Sequence, residues 1–116
     1  EDQCSLSLTF GDGSIGTIIY TAEGSSALQK EHFEAHADGM SLVMSDFMET
    51  RTYHNGKSAL FKTAKRDKGF AQEMAQFVQA IEQGLPPVIP FEQIDAVTRA
   101  CLLAVRSLSS GVAYPL

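Results

Sequence analysis

The chain has 116 residues, of which 44% are hydrophobic and 20% are charged, and its formal net charge at pH 7 is −5. These values are typical of one globular domain and argue against an intrinsically disordered chain. The acidic balance argues against a nucleic-acid partner, which would require clustered lysines and arginines. No apolar run approaches the roughly 18 residues of a membrane-spanning helix, and no signal peptide is visible, so we expect no membrane partner.

The chain contains two cysteines, Cys4 and Cys101, far apart in sequence. Two cysteines are too few for a disulfide framework, and their separation excludes a local metal-binding pair. We therefore expect reduced thiols and a cytoplasmic location.

Three dipeptides in the first half of the chain are typical of tight β-hairpin turns: Asp12-Gly13, Asp38-Gly39 and Asn55-Gly56. A type I′ turn needs positive φ at both central residues, which Asn-Gly and Asp-Gly pairs tolerate. The pattern predicts a meander of antiparallel strands.

A two-residue turn at Asp12-Gly13 pairs Leu8 with Thr17 and Leu6 with Ile19. In this register nearly all the large apolar residues of the ribbon share one face, with Phe10 opposite Ile15. A turn at Asn55-Gly56 likewise pairs Tyr53 with Ser58 and Arg51 with Leu60.

The turn at Asp38-Gly39 separates apolar from polar residues most clearly, because side chains alternate between the two faces of a strand. The predicted apolar face holds Phe33, Ala35, Ala37, Met40, Leu42 and Met44. The predicted opposite face holds His32, Glu34, His36, Ser41, Val43 and Ser45.

The second half of the chain has helical periodicity. An apolar stripe follows Asp67, and Gly84 with Pro86-Pro87 ends the first helix. A second helix starts near Pro90 and runs to about Ser110. The predicted fold class is α+β, with an antiparallel, open-faced β-sheet built as a hairpin meander and two C-terminal helices packed on one face.

The segment Gly11–Gly16 matches the dinucleotide-binding pattern G-x-G-x-x-G. That fingerprint requires a helix after the glycines, whereas Thr17–Thr21 consists of β-branched and aromatic residues and pairs back as a strand. We therefore expect no cofactor-binding residues in this chain.

The histidines His32 and His36 share a strand face with Glu34, in a row with steps of about 7 Å. The row is either a polar strip, exposed or at an interface, or a contact for substrate or partner. A metal site is not expected, because metals usually need three protein ligands. No catalytic triad can be placed from the sequence.

A basic cluster precedes the first helix and consists of Lys62, Lys65, Arg66 and Lys68. Such a cluster is either a solvated connector or a site for a phosphate or carboxylate group near the helix N-terminus.

Several segments, in order along the chain, carry a family resemblance: Phe10–Ala22, Lys30–Glu34 continuing to Asp46-Phe47, Asp67–Phe70 leading into Ala80-Ile81, and Pro90–Glu92. Together they resemble the C-terminal domain of the glucose-fructose oxidoreductase and inositol dehydrogenase family (Gfo/Idh/MocA).

The resemblance implies that residues 1–116 form a single domain, the C-terminal sheet domain of a longer two-domain oxidoreductase. The N-terminal Rossmann domain, which would bind NAD or NADP, and the family's Glu-Lys-Pro signature would precede Glu1. The implied role is substrate binding and homo-oligomerisation through the open sheet face, in a dehydrogenase acting on a sugar or sugar derivative.

Within this domain the implied substrate contacts are Lys30, His32 and His36, with no catalytic, cofactor-binding or metal-binding residue. The isolated domain would be inactive, because hydride transfer requires a bound nicotinamide. The alternative hypothesis is a stand-alone, non-catalytic module that dimerises or binds a ligand.

Overall fold

The computed structural model describes residues 2–116, which form six strands followed by two helices. The strands are β1 (Gln3–Thr9), β2 (Ile15–Thr21), β3 (His32–Ala37), β4 (Met40–Ser45), β5 (Glu49–His54) and β6 (Lys57–Lys62), and the helices are α1 (Phe70–Gln83) and α2 (Phe91–Ser110). All strand pairs are antiparallel, in a two-stranded sheet β1-β2 and a four-stranded sheet β3-β4-β5-β6. The predicted α+β class and the antiparallel meander are confirmed.

The described residues divide into two compact units. One unit contains residues 2–21 and 71–116, and therefore the β1-β2 hairpin and both helices. The other contains residues 22–70 and the complete four-stranded sheet. Across residues 2–116, neither helix combines the length and hydropathy needed to cross a membrane.

The register predicted for the first hairpin is wrong by one residue. Leu6 pairs with Ile18 rather than Ile19, and Ile15 pairs with Thr9 rather than Phe10. The loop has three residues, because Phe10 N–H donates to the Ser14 carbonyl at 2.9 Å.

This shift moves Ile15 and Ile19 to the face opposite Leu6, and they are 81% and 78% exposed. Asp12 is the physical cause. Its carboxylate accepts hydrogen bonds from the N–H and hydroxyl of Ser14, so only Gly13 takes positive φ.

The other two predicted turns form as expected. Asp38 and Gly39 have φ of 49° and 72°, and Asn55 and Gly56 have 51° and 69°. The predicted pairing of Tyr53 with Ser58 is therefore confirmed, and so are the two faces predicted for the β3-β4 hairpin, in which Phe33 pairs with Met44.

A further turn, which the sequence did not predict, joins β4 to β5. Asp46 and Phe47 both have φ of 54°, and Met48 N–H closes the turn on the Ser45 carbonyl at 3.0 Å. Positive φ is unusual for a bulky aromatic residue such as Phe47. The surrounding structure must therefore hold this turn.

The register separates the four-stranded sheet into two chemically different faces, named here the apolar face and the polar face. The apolar face carries Phe33, Ala35, Ala37, Met40, Leu42, Met44, Thr50, Thr52, His54, Lys57, Ala59 and Phe61. The polar face carries His32, Glu34, His36, Ser41, Val43, Ser45, Glu49, Arg51, Tyr53, Ser58, Leu60 and Lys62.

Both helices end at the glycines that the sequence indicated, Gly84 and Gly111. At the end of α1, Gly84 has φ of 63°, and Leu85 N–H donates to the Ala80 carbonyl at 2.9 Å. This pattern is a Schellman cap. Gly111 ends α2 in the same left-handed conformation, whereas Pro90 lies at the N-cap, one position before the expected first turn.

Few side chains are buried. Within residues 2–116, only Ala80 and Asp46 fall in the buried class. The apolar stripes of the helices remain open, with Phe77 59% and Val97 65% exposed, and so does the apolar face, with Phe61 65% exposed. The described chain therefore presents apolar surfaces that another surface would have to cover.

We expect the substitution Gly39→Ala to lower the free energy of unfolding by about 1–2 kcal/mol, because an L-residue with positive φ is strained by that amount. A Cβ at Gly39 would meet no atom within 4 Å, so the effect is confined to the backbone. Gly24→Ala is the matched control, since its site is equally open and its φ is not in the left-handed region. Urea denaturation of both variants tests this, and equal midpoints would contradict it.

Candidate functional site

The polar face brings both predicted histidines onto one carboxylate. Glu34 Oε1 lies 2.9 Å from His32 Nε2, and Glu34 Oε2 lies 3.5 Å from His36 Nε2. The alternation of strand β3 produces this arrangement, since residues 32, 34 and 36 point to the same side. All three side chains are at least half exposed, so the strip is open to solvent.

Ser41, in the neighbouring strand β4, completes a group of four side chains with His32, Glu34 and His36. Ser41 pairs directly with His36 in the β3-β4 register, and Ser41 Oγ lies 2.9 Å from His36 Nδ1. The imidazole of His36 therefore lies between a hydroxyl and a carboxylate. The sequence had placed Ser41 on this face but had not predicted a contact.

The interaction with His32 is the largest cause that lowers the pKa of Glu34; desolvation opposes it, and the weaker interaction with His36 lowers the pKa further. Glu34 is therefore ionised at neutral pH. A carboxylate between two imidazoles can orient them and can stabilise positive charge on either ring.

The polar face contains a shallow groove beside this group. Its volume is about 400 Å³, and its lining includes Ser41, Tyr53 and Ser58 together with the Asn55-Gly56 turn. Hydroxyl groups from three strands therefore face the same space.

Lys30, the third predicted substrate contact, is not linked to this group by an ion pair. It lies exposed in the loop between β2 and β3, two residues before His32. Among residues 2–116, the Lys30 ammonium group has no ion pair with a carboxylate.

The predicted basic cluster is largely neutralised by carboxylates. Lys62 pairs with Glu49 at 2.8 Å, Arg66 with Asp46, and Lys68 with Glu31 at 2.5 Å. The segment between β6 and α1, residues 63–69, is named here the connector, and these contacts indicate that it is bound to the sheet. They argue against the two alternatives expected from the sequence, a solvated connector and an anion site. Lys65 lies in this connector, and its backbone carbonyl accepts a hydrogen bond from Thr63 Oγ1 at 2.8 Å.

The same ion pairs surround the strained turn between β4 and β5. Asp46 is only 3% exposed, and its N–H donates to the Glu31 carbonyl at 2.7 Å. The ammonium of Lys68 lies 5.5 Å from the centre of the Phe47 ring, a cation–π geometry. The connector thus fixes the turn from two sides, which accounts for positive φ at Phe47.

The structure contains no evident site for a metal ion. Across residues 2–116, no group of three or more His, Cys, Asp or Glu side chains could hold one.

Cys4 and Cys101 are free and exposed. The glycines of Gly11–Gly16 lie in a hairpin loop and at the start of strand β2, so no helix follows them.

We expect the carboxyl group of Glu34 to titrate below its ordinary pKa of 4.5. The stabilisation from this group is then present above pH 4.5 and is lost as the pH falls through the lowered value. His32→Ala should raise the pKa of Glu34 more than His36→Ala, because the bond from His32 has the larger effect. Carboxyl-carbon NMR titration measures both shifts, and the reverse order would contradict the described geometry.

Comparison with known proteins adds no relative: no protein-family model, curated protein or solved structure matches this chain.

Proposed function

We propose that this chain is the substrate-binding and oligomerisation domain of an NAD(P)-dependent oxidoreductase acting on a sugar or sugar derivative, and that it is inactive alone in hydride transfer. One observation supports this role above all: the two faces of the four-stranded sheet differ in chemistry, and within residues 22–70 no other strand or helix covers either face. The order of the resembling segments along the chain supports the assignment to an oxidoreductase.

The apolar face supports the oligomerisation part of the proposal, in place of the opposite, partly polar face with Val43 that the sequence indicated as the open one. Phe33, Met40 and Phe61 are 54%, 52% and 65% exposed on this face. Large exposed apolar side chains on one face of a sheet are typical of an interface. A second copy of the chain suits it, because a two-fold axis brings the same apolar patch of two sheets together.

The polar face supports the substrate-binding part. It carries imidazole, hydroxyl and carboxylate groups, including His32, His36 and Ser41, beside the groove that Tyr53 lines. Such groups donate and accept hydrogen bonds in the way that a polyhydroxylated ligand requires. Lys30 enters this proposal only as an exposed cation in the loop before the same strand, two residues before His32.

The nicotinamide would come from a separate N-terminal Rossmann domain. NAD or NADP would supply the hydride acceptor, and the sheet domain would hold the substrate against it. The residues of this chain would then bind and orient the substrate, while proton transfer and cofactor binding would belong to the other domain.

The second candidate function is a stand-alone module that dimerises without an enzymatic partner. The same apolar face favours it, because burial of that face between two copies requires no further domain. The two candidates share the dimer and differ in the presence of a cofactor domain.

We expect Phe61→Glu to weaken self-association at least about tenfold, because the substitution would bury a charge at the apolar interface. Leu60→Glu is the matched control: it is the adjacent residue of β6, 45% exposed on the polar face. Sedimentation equilibrium of the two variants measures the effect. Dissociation by Leu60→Glu alone would move the interface to the polar face, and no effect of either would contradict association through this sheet.

We expect the natural reading frame before Glu1 to encode a strand, a G-x-G-x-x-G turn and a helix, followed by a Glu-Lys-Pro segment. The protein expressed from that frame should quench nicotinamide fluorescence when it binds NADH or NADPH. An initiation codon directly before Glu1 would contradict the oxidoreductase proposal and favour the stand-alone module.

A further inference from the structure

We propose that Ser41 is an activated nucleophile, with His36 as its general base and Glu34 as the orienting carboxylate, and that this group accepts acyl groups from small activated esters. The proposal is independent of the oxidoreductase assignment, because acyl transfer needs no nicotinamide.

The geometry supplies the first of the two contacts that such a group requires as a hydrogen bond, and the second as an ion pair. Ser41 Oγ lies within hydrogen-bond distance of His36 Nδ1, at 2.9 Å. The other ring nitrogen, Nε2, faces Glu34 Oε2 at 3.5 Å. The nucleophile, base and carboxylate follow one another in the order of a catalytic triad, which recurs on unrelated folds.

The electrostatics assign a role to each member. Glu34 is ionised at neutral pH, so the imidazolium that forms when His36 takes a proton lies beside a negative charge. His32 holds the other oxygen of Glu34 at 2.9 Å and is a positioning residue. Arg51 lies on the same face but pairs with Glu49 at 3.1 Å.

The reaction balances with water as the only co-reactant. Ser41 Oγ bonds to the acyl carbon while its proton passes to His36 Nδ1. The bond from that carbon to the leaving oxygen then breaks, and His36 returns the proton to this oxygen. Water hydrolyses the acyl-serine by the same proton path, which releases a carboxylic acid and restores Ser41.

Access to the hydroxyl comes from the groove on the polar face. Ser41 lines this groove together with Tyr53 and Ser58, and its volume of about 400 Å³ accommodates a short acyl chain. Tyr53 is 43% exposed and offers a ring surface to an aryl leaving group. The fitting substrates are therefore small esters with good leaving groups.

The test is acetylation by p-nitrophenyl acetate at neutral pH, followed by release of nitrophenolate and by peptide mapping of the acetyl group. Ser41→Ala and His36→Gln should each lower the rate at least about tenfold, which is below the usual hundredfold general-base effect because the group is exposed. Ser7→Ala is the matched control, because this residue is also a strand serine, in β1, and does not line the groove. Its rate should equal that of the parent chain.

If a variant fails to fold, peptide mapping of the acetyl group on the unsubstituted chain still tests the proposal. Acetyl found first on Ser41 supports the proposal. Equal acetylation of Ser41 and Ser58, or acetylation confined to histidine or lysine side chains, overturns it, as does an undiminished rate in folded His36→Gln.

Discussion

The register of the β3-β4 hairpin is the constraint on which the rest of the sheet depends. Asp38 and Gly39 both adopt positive φ, and this two-residue turn fixes which residues lie opposite each other. A shift by one residue would move every side chain of one strand to the other face. The apolar patch and the hydrogen bond between His36 and Ser41 both follow from this single turn.

At the opposite end of the sheet, charge rather than turn propensity holds the chain. The connector that follows β6 is bound to the sheet by the pairs Arg66–Asp46 and Lys68–Glu31. Glu31 and Asp46 each retain a buried carboxylate oxygen without a hydrogen-bond partner. The cationic partners are therefore the main compensation for burial of these carboxylates, and they act together with the cation–π contact on Phe47.

The register of a hairpin could be predicted from the sequence where two turn residues alone determine the backbone conformation. It could not be predicted where a side chain forms hydrogen bonds that change the length of the turn. Asp38-Gly39 predicted both faces of its hairpin correctly. Asp12-Gly13 did not, because Asp12 uses its carboxylate on Ser14 and lengthens the loop. The turn at Asp46-Phe47 had no local signal, since it depends on Arg66, twenty residues later. Likewise, strand alternation predicted the residues of the polar face, whereas the contacts of Glu34 depend on side-chain rotamers.

The four-stranded sheet ends in two edge strands, and they differ in their resistance to further pairing. Strand β6 begins and ends with lysine, Lys57 and Lys62, which disfavour the approach of another strand. Strand β3 contains neither lysine nor proline. The lysines therefore disfavour addition of an extended peptide at β6, whereas β3, the edge beside the histidines, carries no such residue.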